Sequence, residues 1–237
     1  MSMPVLRQDG LAVADDVLAD PGLRRLRRYV STVDYRGVHS QKWDRVWRLW
    51  DGAPQRGQSV YFDPDRMFGW KGATYPTSTA VDTLIDAVRQ MAATHPEICG
   101  VEGVDWLGLY LCPWLYPPGS ALSLHQDAVT YSGSFTFFVH SRWSVHWGGE
   151  LLVYPAASAW LAEPRRSFGD LDVDESWMSD DADGDLDGSG IATAISPRPN
   201  RLVLICDSRP HRIARVDTLA GGHVRASVSG FFLRAPP

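Results

Sequence analysis

From residue 105 onward, apolar and polar positions alternate in short runs broken by Gly, Pro, Asn, Asp and Ser. A period of two predicts strands, here at 106–112, 122–127, 134–140, 150–154, 191–195, 201–206, 211–216 and 223–233. Eight short strands spaced by turns predict two packed sheets, the double-stranded β-helix or jelly roll. The first hundred residues follow another rhythm. Asp20-Pro-Gly-Leu predicts a helix over 20–30 with Asp20 as its cap and Pro21 at its first position. Val81, Leu84, Ile85, Val88, Met91 and Ala92 fall on one stripe of a helix over 79–94. The chain therefore reads as one domain over 1–237. An α-rich portion (1–100) precedes a mainly β core (104–233), which makes the fold class α+β: mainly β with flanking helices.

Two segments escape both rhythms. Residues 43–76 are aromatic and Gly/Pro-rich, and too long for a simple connection. Such a segment either packs down as structure or covers a site, where its Trp and Arg side chains, Trp70 among them, would face a substrate. Residues 167–190 carry nine acids and no Lys or Arg. The net charge is −5, so the remainder of the chain stands at about +4 (−5 minus −9). Asp183-Gly-Asp-Leu-Asp-Gly188 imitates the opening of a calcium loop, but the twelfth position is Ala194 rather than Glu, which excludes that reading. The insertion is either a solvated loop or a lid with Trp177 and Met178 as its apolar contacts. A lid of that charge would favour a cationic substrate.

Composition narrows the classes further. No basic footprint suggests nucleic acid. No long apolar run or leader-like segment is seen, so the expectation is a cytoplasmic protein without a membrane span. Cys99, Cys112 and Cys206 are scattered, which suits buried thiols in a reducing compartment.

The candidate chemistry lies in Leu122-Ser-Leu-His-Gln-Asp127. Residues two apart on a strand share a face, so His125 and Asp127 can converge. An imidazole and a carboxylate suit a first-row metal. A third ligand, His, would complete a 2-His-1-carboxylate set with open coordination positions. His211 follows the apolar run 202–206 and a turn. Farther on, Arg225, Ser227 and Ser229 share one strand face, and a guanidinium beside a hydroxyl suits a carboxylate.

Together these motifs resemble the prolyl-4-hydroxylase-like branch of the Fe(II)/2-oxoglutarate-dependent dioxygenases. Tyr116 to Asp127 resembles that family's Tyr-x-x-Gly-x-x-Leu-x-x-His-x-Asp. Phe137 to Trp143, then Trp147-Gly-Gly-Glu-Leu151, resembles its aspartate-tryptophan turn and Gly-Gly-Glu-Leu strand. Pro199-Asn-Arg-Leu resembles its entry to the distal-histidine strand. The resemblance covers roughly 104–233. It implies a jelly-roll (cupin-like) core and Fe(II) on His125, Asp127 and His211. It also implies 2-oxoglutarate anchored by Arg225 with Ser227, and O2 as oxidant. The carboxylate at Asp127 implies hydroxylation rather than halogenation. The sequence departs from the pattern at Phe138, where several relatives carry a Tyr that helps bind the cosubstrate; Tyr110 or Tyr116 is the candidate replacement. His140 stands where relatives carry Asn, and is read as a turn or substrate-side residue. Arg201 and Arg215 are the rival cations to Arg225. The expected reaction is oxidation of a small molecule, an amino acid or a biosynthetic natural-product intermediate. Hydroxylation of a prolyl or other side chain in a peptide or protein is the alternative.

Overall fold

The computed structural model describes residues 4–38, 49–156 and 191–235. Its elements are, in chain order, β1 (Pro4–Gln8), β2 (Leu11–Ala14), α1 (Asp20–Thr32), β3 (Arg36–Gly37), β4 (Gln55–Arg56), β5 (Val60–Phe62), β6 (Ala73–Thr74), α2 (Val81–Thr94) and α3 (Pro96–Cys99). Then follow β7 (Gly108–Tyr116), β8 (Leu122–His125), β9 (Tyr131–Phe138), β10 (Leu151–Val153), β11 (Thr193–Ile195), β12 (Leu202–Cys206), β13 (His211–Ile213) and β14 (Arg225–Leu233).

The strands form two sheets. The major sheet runs β1-β2-β12-β9-β14-β7-β4-β3, with β5 pairing β7 and β6 beside it; the minor sheet runs β11-β10-β13-β8. Two apolar clusters explain this layering. On the outer face of the major sheet, Leu109, Leu111, Phe135, Phe137, Leu202, Leu204, Val228 and Phe232 pack with Leu26 and Val30 of α1 and Leu84, Ile85 and Val88 of α2. Between the sheets, Leu11, Val13, Trp114, Phe138, Val203 and Ile205 meet Leu151, Val153, Ile195 and Ile213. Strand β12 is covered on both faces, which is why Leu-Val-Leu-Ile reads as an unbroken apolar run rather than an alternation.

The jelly-roll expectation holds, with antiparallel pairing throughout the two layers of the core. The portion 1–100 carries helices α1 to α3 and, beside them, a hairpin that the sequence reading did not place. Residues 4–14 form a hairpin through Asp9-Gly10, with Gly10 at φ 65, and β2 lies antiparallel to β12. Asp-Gly between short apolar runs is a hairpin signal, outweighed in the sequence by the two longer helical stripes nearby. Asp20 is the first residue of α1 rather than its cap; the cap position is Ala19, without a side-chain hydrogen bond. Strand β8 stops at His125, so Asp127 lies just past its end. The acidic insertion with Trp177 and Met178, and residues 43–48, lie outside the described residues. No described helix is long and apolar enough to cross a membrane.

Candidate active site

His125 ends β8 and His211 opens β13, and these two residues are direct register partners in the minor sheet. The pairing brings their rings to 4.3 Å between centroids. Asp127 Oδ1 lies 3.8 Å from His125 Nε2, and Asp127 Oδ2 lies 3.8 Å from His211 Nε2. One donor atom from each of the three falls within 4.8 Å of the other two. Such spacing leaves room for an ion between them instead of direct hydrogen bonds.

The protonation pattern suits that use. His125 Nδ1 donates to the carbonyl of Ser123 at 2.9 Å, and His211 Nδ1 to that of Arg209 at 3.0 Å. Each bond fixes the proton on Nδ1 and leaves the Nε2 lone pair aimed inward, the arrangement a metal-bound imidazole needs. Asp127 Oδ2 is buried and accepts no hydrogen bond. A buried carboxylate oxygen without a donor is costly unless a cation completes it. The three residues therefore fit a divalent metal, as the sequence pattern implied.

Arg225 opens β14 and is fully buried on the inner face. Its Nε donates to the Gly149 carbonyl at 2.8 Å and its Nη1 to Ser227 Oγ at 3.4 Å. Its guanidinium carbon sits 5.2 Å from the Tyr116 ring centroid and 4.9 Å from that of Phe138. Gly149, at φ 74, is required here: a Cβ would stand 3.0 Å from Arg225 Cδ. That gives the Gly-Gly pair of the sequence motif a physical reason. Nη2 has no partner, and among the described residues no carboxylate pairs with this cation. Burial pulls its pKa down to about 10, against the opposing influence of Tyr116 and Glu150. A buried guanidinium with an open donor and an adjacent hydroxyl fits one end of a dicarboxylate.

The other predicted residues separate. Tyr116 lies against Arg225, where Phe138 brings no hydroxyl. Tyr110 lies elsewhere on the same face: its hydroxyl accepts from Arg56 Nη2 and, at 3.3 Å, from Ser59. Trp70 is 42% exposed and stacks on Tyr61 at 4.6 Å, within the same aromatic group as Tyr110. His140 is built into the wall. Its Nε2 donates to the Pro197 carbonyl at 2.6 Å, its Nδ1 accepts from the Ala226 amide at 3.3 Å, and burial pulls its pKa down to about 4. Of the rival cations, Arg201 pairs with Asp15 at 2.6 Å, and Arg215 donates to the carbonyls of Gly119 and Trp50.

Two contributors are not singled out by the sequence. Asp51 is buried and accepts from the amide of Ser123 at 3.2 Å and from its hydroxyl at 2.9 Å. It thereby holds the residue whose carbonyl orients His125. Arg56 reaches the inner face from the irregular segment. Both contacts span fifty or more residues, beyond any local spacing rule.

No protein-family model matches this sequence, and no curated protein matches it. Solved structures do. A prolyl-4-hydroxylase from Pseudomonas putida superposes with a TM-score of 0.58 at 17% identity, covering 96% of this chain and 94% of that one. A prolyl hydroxylase from Trichoplax adhaerens, in complex with a hypoxia inducible factor degradation-domain peptide, gives 0.57 at 14%, covering 96% and 84%. The non-heme α-ketoglutarate-dependent epimerase SnoN of nogalamycin biosynthesis gives 0.53 at 14%, covering 97% and 80%. The chain has the fold of these structures.

Proposed function

We propose that this chain is an Fe(II)- and 2-oxoglutarate-dependent oxygenase. The observation that carries the reading is a pair of incomplete buried groups on facing walls. Asp127 Oδ2 lacks a cation beside two inward imidazole nitrogens, and Arg225 Nη2 lacks an anion. One divalent metal and one dicarboxylate complete both. His125, Asp127 and His211 would hold Fe(II), which supplies oxygen chemistry in which 2-oxoglutarate becomes succinate and CO2 while the substrate gains the second oxygen atom. Arg225 and Ser227 would hold the distal carboxylate of the cosubstrate, with the Tyr116 and Phe138 rings excluding water from that end. Ser123 and Arg209 would keep the two imidazoles in their metal-binding tautomer.

The substrate reading is a small molecule, such as an amino acid or a biosynthetic intermediate. It is supported by the closely stacked side chains on this face and by the likeness to a natural-product epimerase. A peptide side chain is the second reading, favoured by the two prolyl hydroxylases among the similar structures. The test is anaerobic titration with Fe(II) and 2-oxoglutarate, followed by exposure to O2 and measurement of succinate. One metal per chain and slow succinate release without substrate are expected. His211→Ala should bind metal at least about a hundredfold more weakly and release no succinate. Wild-type protein that binds neither metal nor 2-oxoglutarate would end the proposal. Rates with amino acids and with a proline-containing peptide then separate the two substrate readings.

A further inference from the structure

The inner face of the major sheet carries a second guanidinium that the reading above does not use. Strand register orders this face into rungs. Arg225 opposes Tyr116, Ser227 opposes Trp114, Ser229 opposes Cys112, and Phe231 opposes Tyr110. Tyr61 continues the last rung, opposite Tyr110, and Arg56 opposes Trp114. Six residues separate Arg225 from Phe231, about 20 Å of strand. The end far from Arg225 is walled with rings. Tyr61 stacks on Trp70 at 4.6 Å, Tyr110 on Phe231 at 6.1 Å, and Phe231 on Tyr131 at 4.3 Å. Tyr131 follows Asp127 by four residues, its amide donating to the Ala128 carbonyl at 3.0 Å, so this end lies on the segment that leads out of the metal-ligand motif.

Arg56 extends along this face to the aromatic end. Its Nη2 donates to Ser59 Oγ at 2.7 Å and to the Tyr110 hydroxyl, and its guanidinium carbon is 5.4 Å from the Tyr110 ring centroid. Its Nε is buried without a partner. Among the described residues, no carboxylate pairs with it. Burial holds the Tyr110 hydroxyl protonated, its pKa raised, and that hydroxyl already accepts from Arg56 and Ser59. Its own proton is left to the Cys112 sulfur at 3.6 Å, a weak acceptor that a carboxylate oxygen would outcompete. A half-buried cation, an open N–H and a weakly engaged O–H, among rings, are complementary to a planar oxyanion on an apolar body.

We propose that Arg56, Tyr110 and Ser59 anchor a carboxylate of the primary substrate, whose apolar or aromatic body lies against Tyr61, Trp70 and Phe231. This deepens the oxygenase reading and rests on it. It assigns the two unpaired guanidiniums of one face to two different anions: Arg225 to the cosubstrate and Arg56 to the substrate. It also runs against the cationic substrate expected from the acidic insertion, because the described wall presents a cation.

The test is a double dissociation by calorimetry on the full chain. Phenylacetate, its neutral amide phenylacetamide, and 2-oxoglutarate (with Mn(II)) are titrated into the wild type, Arg56→Gln and Arg225→Gln. The wild type should bind phenylacetate about tenfold or more tightly than the amide, the size expected of hydrogen bonds to a charged group. Arg56→Gln should remove that preference and leave 2-oxoglutarate affinity within about twofold, and Arg225→Gln should do the reverse. Tyr110→Phe keeps the packing and serves if Arg56→Gln does not fold; it should reduce the preference about threefold. Equal binding of acid and amide by the wild type overturns the proposal. So does a preference that survives Arg56→Gln or is undiminished in Tyr110→Phe, or one that only Arg225→Gln abolishes. Failure of the oxygenase reading shows separately, as wild-type protein that does not bind 2-oxoglutarate while the phenylacetate arm still reads Arg56.

Discussion

The two faces of the major sheet are made by the same strands and differ in almost everything else. Outward, Leu109, Leu111, Phe135, Phe137, Leu202, Leu204, Val228 and Phe232 are at most 1% exposed and belong to one apolar cluster. Inward, the same strands offer Arg225, Ser227, Ser229, Thr136, Ser134 and Tyr110, and buried donors stand open. A chain that needed only to fold would not leave a guanidinium uncompensated in its interior. The outer face holds the sheet together. The inner face carries buried polar atoms without partners among the described residues, and the proposed metal and cosubstrate sites rest on them.

The contrast can be broken from either side. Phe137→Ala on the outer face should cost about 3–5 kcal/mol of stability, read by urea denaturation, with 2-oxoglutarate affinity unchanged in the folded protein. A loss of affinity would show that the faces are not separable. Arg225→Met on the inner face should do the opposite. Cosubstrate binding should weaken by about 2–5 kcal/mol, while the ligand-free protein keeps or raises its melting temperature, because an unpaired buried charge has been removed. A destabilised ligand-free protein would make Arg225 structural.

His140 tests the boundary between the faces. Its folded pKa, about 4, lies below the ordinary 6.5, so between those values the unfolded chain binds the extra proton. Stability from this group is therefore complete above about pH 6.5 and is lost as pH falls toward about 4, by on the order of 3 kcal/mol. His140→Gln should flatten that part of the stability profile, measured as the denaturation midpoint against pH. The smallest effect should come from Asp51→Asn, which weakens the hold on Ser123. Metal affinity should fall about tenfold with little change in 2-oxoglutarate binding at saturating metal.

What could be read in the sequence divides along similar lines. Strand periodicity located the β core because each face of each strand has one partner layer, and alternation records that directly. His125, Asp127 and Arg225 stood out because two candidate ligands share three residues and Arg-x-Ser lies on one strand face. Arg56 and Asp51 did not. Each acts across the fold, Arg56 on Tyr110 and Asp51 on Ser123, from a segment with no period, and nothing near them in the chain marks their partners. The hairpin 4–14 was obscured for another reason. Its strands are short, and their apolar side chains acquire meaning only once β12 is beside them.

Among the described residues, β8 is the last strand of the minor sheet, paired on one side by β13. A border of that kind ordinarily offers a row of free amides to any passing chain, the starting point of intermolecular sheet growth. Here the amide of Ala121 donates to the Asp51 carbonyl at 2.9 Å, and the amide of Ser123 to its carboxylate. Gly52, at φ 75, lets the segment come so close that a Cβ there would stand 2.6 Å from the Gly119 carbonyl oxygen. Asp51 thus acts as a false neighbour, taking up hydrogen bonds that a neighbouring strand would otherwise make. The histidine at the end of β8 is thus kept on a border whose Ala121 and Ser123 amides are already engaged.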